Sequence, residues 1–125
     1  MHQPEVTAQL LQEIDGFLSD AQAIFLVGAT NRVDQIDSAI LSRFSEQIEI
    51  PSPDQTARAA LLEVFLGPLR FTGDRARAVL NLALATEGRS GRDLLALVNR
   101  AVLAAVKRTS SPKDFTITEK DFALL

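Results

Sequence analysis

The chain has 125 residues, 46% of them hydrophobic, which is enough for one compact core or two small ones and too little for a large multidomain machine. Thirteen Lys and Arg against 16 Asp and Glu leave a formal net charge of −3, which argues against a surface built to hold nucleic acid through phosphate contacts. There is no cysteine, hence no disulfide framework and no thiolate site, and a reducing compartment fits.

At the amino terminus MHQPEV lacks the basic-then-apolar pattern of a signal peptide. No later apolar run approaches the roughly 20 residues of a membrane span, so the chain reads as soluble and cytoplasmic, without membrane insertion. EVTAQLLQEID, residues 5–15, spaces Val6, Leu10, Leu11 and Ile14 along one helical face, and Gly16 follows where a left-handed terminating residue is expected. AIFLVGA, 23–29, is apolar on both faces over strand length, the pattern of an interior strand of a parallel sheet. It ends in Thr30, Asn31 and Arg32, which is more polar chemistry than a plain reversal needs. A short helix capped by Asp37 follows, with Ala39, Ile40 and Leu41 to bury before Arg43 and Phe44. EQIEI, 46–50, alternates as an edge strand does, and the prolines of IPSPD stop it.

After Pro53 only helical patterns remain, which places a domain boundary there and divides the chain into 1–52 and 53–125. Asp54 sits in the first turn of a helix whose apolar residues include Ala57, Leu61, Val64 and Phe65; it stands four residues before Arg58, and the helix ends near Gly67 and Pro68. A second helix runs from about Asp74 with Ala76, Val79, Leu80, Ala83 and Leu84, and Gly88 closes it. The third starts at a Ser90/Asp93 capping box and repeats Leu94, Leu97, Val98, Ala101, Val102 and Ala105 with a 3.6-residue period. TSSPKD, 109–114, is a loop, and FTITEKDFALL gives a short extended piece and a last helix capped by Thr118.

A serine nucleophile needs a base, and the only histidine is His2, next to the terminus, so covalent hydrolysis is set aside. Asp34 and Asp37 are three apart, yet turn formation and capping explain both more simply than a metal does. GRSGR, 88–92, looks like a phosphate cradle but lacks the G-x-x-x-x-G-K-[ST] spacing, and a terminal glycine followed at once by the next helix cap explains it as well. Taken singly, Asn31 is explained by turn formation.

Order along the chain adds to this. LLQEIDGF, VGATNRVDQIDSAILSRF, IEIPSPDQTAR and EGRSGRDLLALVNRA resemble, in that sequence and at those separations, the AAA family of ATPases within the AAA+ superfamily. The resemblance covers nearly the whole chain and corresponds to the second half of an AAA module, from the helix after the Walker B strand to the end of the helical lid. It implies an α/β remnant of a parallel P-loop NTPase sheet in 1–52, followed by an all-α four-helix lid in 53–125. It implies catalytic roles for Asn31, as the sensor 1 residue beside the γ-phosphate and attacking water, and for Arg43 in SRF, as the finger that one subunit inserts into its neighbour's site. A carboxamide can donate to phosphate and accept from water without adding negative charge. A guanidinium is always charged and offers forked donors to phosphoryl oxygens. The residue before Arg43 is Ser42, so a second finger is not expected. Arg32 and Arg58 match family arginines at interface and structural positions. Ser90, Gly91 and Arg92 fall in the lid segment that comes close to adenine, where a glycine allows close approach; Arg92 departs from the small residue common there and reads as facing solvent.

The resemblance further implies ATP or ADP with Mg²⁺ in the parent protein, a ring of like subunits, a hexamer, and a protein substrate that is remodelled. SRF without an intervening Pro-Gly looks more like the severing and membrane-remodelling branches, spastin- and katanin-like, than the protease-associated ones. Walker A and Walker B motifs are not found in these residues, so the chain alone is expected to bind ATP weakly and to hydrolyse none. The two strands, without the Walker A strand that separates them in the family's sheet, are expected to pair with another copy or to move, while residues from about 54 to 125 fold alone. The other reading is a non-catalytic helical module for protein interaction.

Overall fold

The computed structural model describes residues 4–19 and 23–122. The expectations for His2 and for the helix end at 123–125 lie outside the described residues. The chain divides into two compact units, Met1–Glu49 and Ile50–Leu125.

In the first unit helix α1 spans Pro4–Ser19, with Glu5 in its first turn where the helix dipole favours a carboxylate, and it buries Ile14. Gly16 was expected to end this helix, but α1 runs through it. Its φ is not positive, and the Ser19 hydroxyl donates to the Gly16 carbonyl at 3.0 Å inside the last turn. Helix α2, Ser38–Leu41, is a single turn in which the Ala39 amide donates to the Asp37 carboxylate at 2.8 Å.

The expected sheet remnant is not formed: the described residues contain no strand. From 23 to 31 and from 46 to 52 the described backbone makes no backbone–backbone hydrogen bond. Phe25 is 92% exposed and Ile48 82%. An extended segment can satisfy its amides and carbonyls only on a neighbour, and without one its apolar side chains have nothing to pack on. The apolar composition of 23–29 therefore reports what the segment is suited to pair with, not a pairing made here.

In the second unit three helices carry their own hydrogen bonds and each is opened by a side chain. Asp54 accepts from Ala57 N at 2.8 Å to start α3, Gln55–Leu66; Asp74 accepts from Arg77 N at 3.0 Å to start α4, Arg75–Ala85. Helix α5, Gly91–Arg108, opens with the Ser90/Asp93 capping box and ends with Lys107 and Arg108, cations where the dipole favours them. Gly88, at φ +77°, provides the reversal after α4 that its position predicts. Helices α4 and α5 both pack on α3, and Leu62, Leu66, Leu82 and Leu94 are buried between them.

The buried face of α5, Leu94, Leu97, Val98, Ala101 and Ala105, is the one its period predicts. On α3 the face is turned by one residue: Arg58, Leu62 and Leu66 are buried while Val64 is 69% exposed. A charged residue heads the true stripe, which makes the neighbouring stripe look the more apolar. On α4 the shared positions Val79 and Ala83 are buried, but Ala78 and Leu82 complete the face, and Leu80 and Leu84 stay exposed.

The expected fourth helix is, within the described residues, a 3₁₀ turn at Glu119–Asp121. It is fastened from two sides. The Arg108 guanidinium pairs with Asp121 at 2.7 Å, and the Thr118 amide donates to the same carboxylate at 2.8 Å. Burial pushes the Asp121 carboxyl up, but the bonds from Arg108 and Thr118 outweigh it and hold it below the usual range. Phe71 and Ile117 form an isolated parallel bridge, with Thr72 N donating to Ile117 O at 2.8 Å and Ile117 N to Arg70 O at 2.9 Å. No helix among the described residues is long and apolar enough to cross a membrane.

Two outcomes are expected. Leu62→Ala removes a side chain with no exposed surface and is expected to cost about 2–5 kcal/mol, against less than about 0.5 kcal/mol for Val64→Ala, as read by urea denaturation of the helical transition. Amide hydrogen exchange in monomeric chain is expected to be fast at 24–31 and 46–50 and slow in α5; equal protection in the two regions would contradict the account of the unpaired segments.

Candidate functional site

In the first unit the turn after the apolar segment is made by Thr30, whose hydroxyl accepts from Arg32 N at 3.0 Å. A 3₁₀ turn at Val33–Gln35 continues it, with Gln35 N bonded to Arg32 O at 3.0 Å. Asn31 is exposed, and its carboxamide makes no hydrogen bond among the described residues. The residue that looks like a turn-former is thus not the one whose side chain makes the turn. Arg32 Nε reaches Asp34 at 3.4 Å in an exposed pair.

Arg43 follows α2 and its fork is engaged. Nε and Nη2 donate to the two carboxylate oxygens of Asp15 at 3.0 and 3.1 Å, and Nη1 donates to Ala39 O at 3.1 Å and Ser42 Oγ at 3.2 Å. These hydrogen bonds hold the Asp15 carboxyl below, and the Arg43 guanidinium above, their ordinary values. Asp15 was not singled out in the sequence, because no helical or strand period relates residues 28 apart. The glycine of VGATN has a local reason: a Cβ there would lie 3.0 Å from Phe44 Cζ, so the ring beside Arg43 packs on bare backbone.

In the second unit an open cleft of about 670 Å³ lies between the segment Ile50–Asp54, the α3 side chains Ala57 and Leu61, and the α5 start at Ser90 and Gly91. Two of the predicted ligand-binding residues line it. Ser90 Oγ accepts from Asp93 N at 3.2 Å and Asp93 accepts from Ser90 N at 2.9 Å, so the serine side chain is committed to the cap. That backbone bond is the main reason the Asp93 carboxyl titrates below its ordinary range, aided by Arg89 and Arg92 nearby. A Cβ on Gly91 would meet Leu61 Cδ1 at 3.7 Å, an ordinary contact, so the bare backbone is open towards the cleft without strain. Arg92 is exposed and makes no hydrogen bond among the described residues. Beneath the cleft Arg58 is buried, which sequence reading assigned only as structural. The described residues contain no cluster of three His, Cys, Asp or Glu able to hold a metal ion.

Comparison with known proteins adds the decisive observation. Residues 1–52 match the ATPase family associated with various cellular activities (AAA), and residues 79–124 match the AAA+ lid domain. The chain belongs to the AAA family of ATPases. Among relatives of this AAA chain, the ATP-dependent zinc metalloprotease FtsH 2 of Bdellovibrio bacteriovorus is 39% identical over 116 residues, covering 91% of the chain and 18% of the relative. The ATP-dependent zinc metalloprotease FtsH of Acidimicrobium ferrooxidans is 41% identical over 117 residues, 92% of the chain and 17% of the relative. The chain thus spans less than a fifth of the length of these relatives. In fold it is similar to the FIGL-1 AAA domain solved in complex with ADP, with a TM-score of 0.79 at 23% identity, over 92% of this chain and 42% of that one. These two relatives by sequence are proteases by name, while the neighbour in fold is the FIGL-1 AAA domain.

The capping box sets an expected pH response. Because the folded-state pKa of Asp93 is depressed, its contribution to stability is complete above the unfolded value of about 4 and is lost as the pH falls through the lower folded value. The Ser90 amide proton should follow this titration in an NMR series, and Asp93→Asn should remove that response while the ion pair at Asp121 continues to report acid loosening.

Proposed function

We propose that this chain is the carboxy-terminal share of an AAA nucleotide site: it supplies one wall for the base, a sensing amide at Asn31 and a guanidinium at Arg43 for a neighbouring subunit. The observation that carries the reading is the succession of the AAA and AAA+ lid matches along one chain, within whose ranges Asn31, Arg43, Ser90 and Gly91 fall. The cleft fits the base end of ATP or ADP. Ile50, Pro51, Pro53, Ala57 and Leu61 give it an apolar lining, and Gly91 puts backbone without a side chain at a helix start along it. Nothing among the described residues forms a phosphate loop or a cluster for Mg²⁺, so phosphate and metal would be held by other parts of a complete module.

In such a module bound ATP supplies the scissile phosphoryl group. Asn31 can donate to an oxygen and accept from water through one uncharged side chain, and its lack of any other hydrogen bond leaves it available. Arg43 already meets a carboxylate with two donors, and that geometry suits phosphoryl oxygens equally. Assembly into a ring, a hexamer, brings Arg43 to a second subunit, and the parent uses nucleotide turnover to remodel a protein substrate. Ser90 and Gly91 border the base, with Arg92 at the rim.

The isolated chain is expected to show no ATP turnover and to bind ADP weakly but detectably, on the order of 1 mM; micromolar binding by titration calorimetry would contradict this. In a longer polypeptide that carries these residues behind complete Walker A and Walker B motifs, Arg43→Ala is expected to lower turnover on the order of 10³-fold, and Asn31→Ala to lower it with nucleotide binding retained. Unchanged turnover after both replacements would overturn the proposal.

A further inference from the structure

Arg58 is a cation in a core position. It is 5% exposed, on the same α3 stripe as Leu62 and Leu66, and no carboxylate among the described residues pairs with it. Its donors go to backbone carbonyls only: Nε and Nη2 to Ala83 O at 3.2 and 2.9 Å, and Nη1 to Pro53 O at 2.9 Å. If packing were the whole role, a leucine would serve there without the desolvation of a charge. The two acceptors explain the choice.

Ala83 O lies in the last turn of α4, where carbonyls are free and a cation is favoured. The Thr86 hydroxyl takes the adjacent carbonyl of Leu82 at 2.7 Å, and Arg89 N closes the following turn on Thr86 O at 3.1 Å. The end of α4 therefore fixes where Ser90 and Gly91 begin. Pro53 O belongs to the opposite wall of the cleft. Pro51 and Pro53 have no amide to donate, and the bond from Arg58 is the one hydrogen bond described for Ile50–Pro53.

We propose that Arg58 is a positioning residue that sets the spacing of the two cleft walls, tying Pro53 on one side to the α4 terminus that leads into Ser90 and Gly91 on the other. Its consequence for nucleotide rests on the cleft being the base site of the preceding section. A lysine keeps the charge, but its three N–H groups diverge from one nitrogen, so it does not reproduce the separate, coplanar nitrogens with which Arg58 meets Ala83 and Pro53.

The test uses the ¹⁵N-labelled 125-residue chain, with Arg58→Met and Arg58→Lys, and ADP as the probe. In the wild type, the Ser52 amide is expected to have an order parameter near 0.85 and Arg58 Nε–H to exchange slowly; in both variants Ser52 is expected to fall below about 0.6 while the α5 amides stay ordered. ADP-induced shifts at Ser90 and Gly91 are expected to need about tenfold more ADP in both variants. Rigid Ser52 in either folded variant, or full recovery of ADP affinity by lysine, would overturn the proposal. Should Arg58→Met fail to fold, the lysine variant and the wild-type Nε–H decide, and a freely exchanging Nε–H counts against it. If wild-type chain shows no ADP shifts at Ser90 and Gly91, the base-site reading falls, while the tie to Pro53 is judged by Ser52 order alone.

Discussion

Each interior amide of α3, α4 and α5 finds its acceptor four residues back on the same segment, and a cap of Asp54, Asp74 or Ser90 covers part of what the first turn leaves over. An extended segment has no such recourse, because its acceptors lie on another strand. This difference governs the whole chain. The helical unit closes around Leu62, Leu66, Leu82 and Leu94, and the residues that would make strands keep Phe25 and Ile48 in solvent. Apolar burial at roughly 25 cal/mol per Å² cannot be collected by a segment whose backbone has no partner.

The same distinction decides how much could be read in advance. Caps and terminators are local chemistry, and Asp37, Ser90 with Asp93, and Gly88 do what their positions suggest, while Asp54 caps α3 on the Ala57 amide instead of sitting inside its first turn beside Arg58. Gly16 shows the limit: a glycine can end a helix but does not have to, and here the helix continues to Ser19. The face of α5 was legible because its stripe is apolar throughout. The face of α3 was not, because Arg58 occupies a buried position and periodicity counts it as surface. Pairings across long separations, Asp15 with Arg43 or Arg108 with Asp121, leave no periodic trace at all.

The candidate site residues divide into those with committed and those with uncommitted side chains. Ser90 spends its hydroxyl on Asp93, and Arg43 spends its fork on Asp15 and the α2 carbonyl of Ala39. Asn31 spends nothing, because Thr30 performs the turn beside it. That arrangement suits the role proposed for Asn31: the backbone is fixed by a neighbour and the side-chain amide is left exposed. Arg43 is held differently. Its hydrogen bonds fix the plane and direction of the guanidinium, so its availability to a phosphoryl group depends on exchanging one set of oxygen acceptors for another.

The cleft in the helical unit sets a related problem in its wall Ile50–Asp54. Two prolines give that wall rigid rings, and they also remove the amides by which a wall could hold itself in place. A neighbouring apolar side chain could pack against the prolines but could not fix a carbonyl, since dispersion is not directional. A lysine would offer its donors from one nitrogen, not from the separate nitrogens that meet the two carbonyls here. Only a buried forked donor reaches Pro53 and the end of α4 together, and the desolvation of that charge is offset by three bonds to carbonyls that no amide claims. The departure of Arg58 from the apolar stripe, which concealed the packing face of α3 in the sequence, is thereby accounted for by what the stripe must hold besides the core.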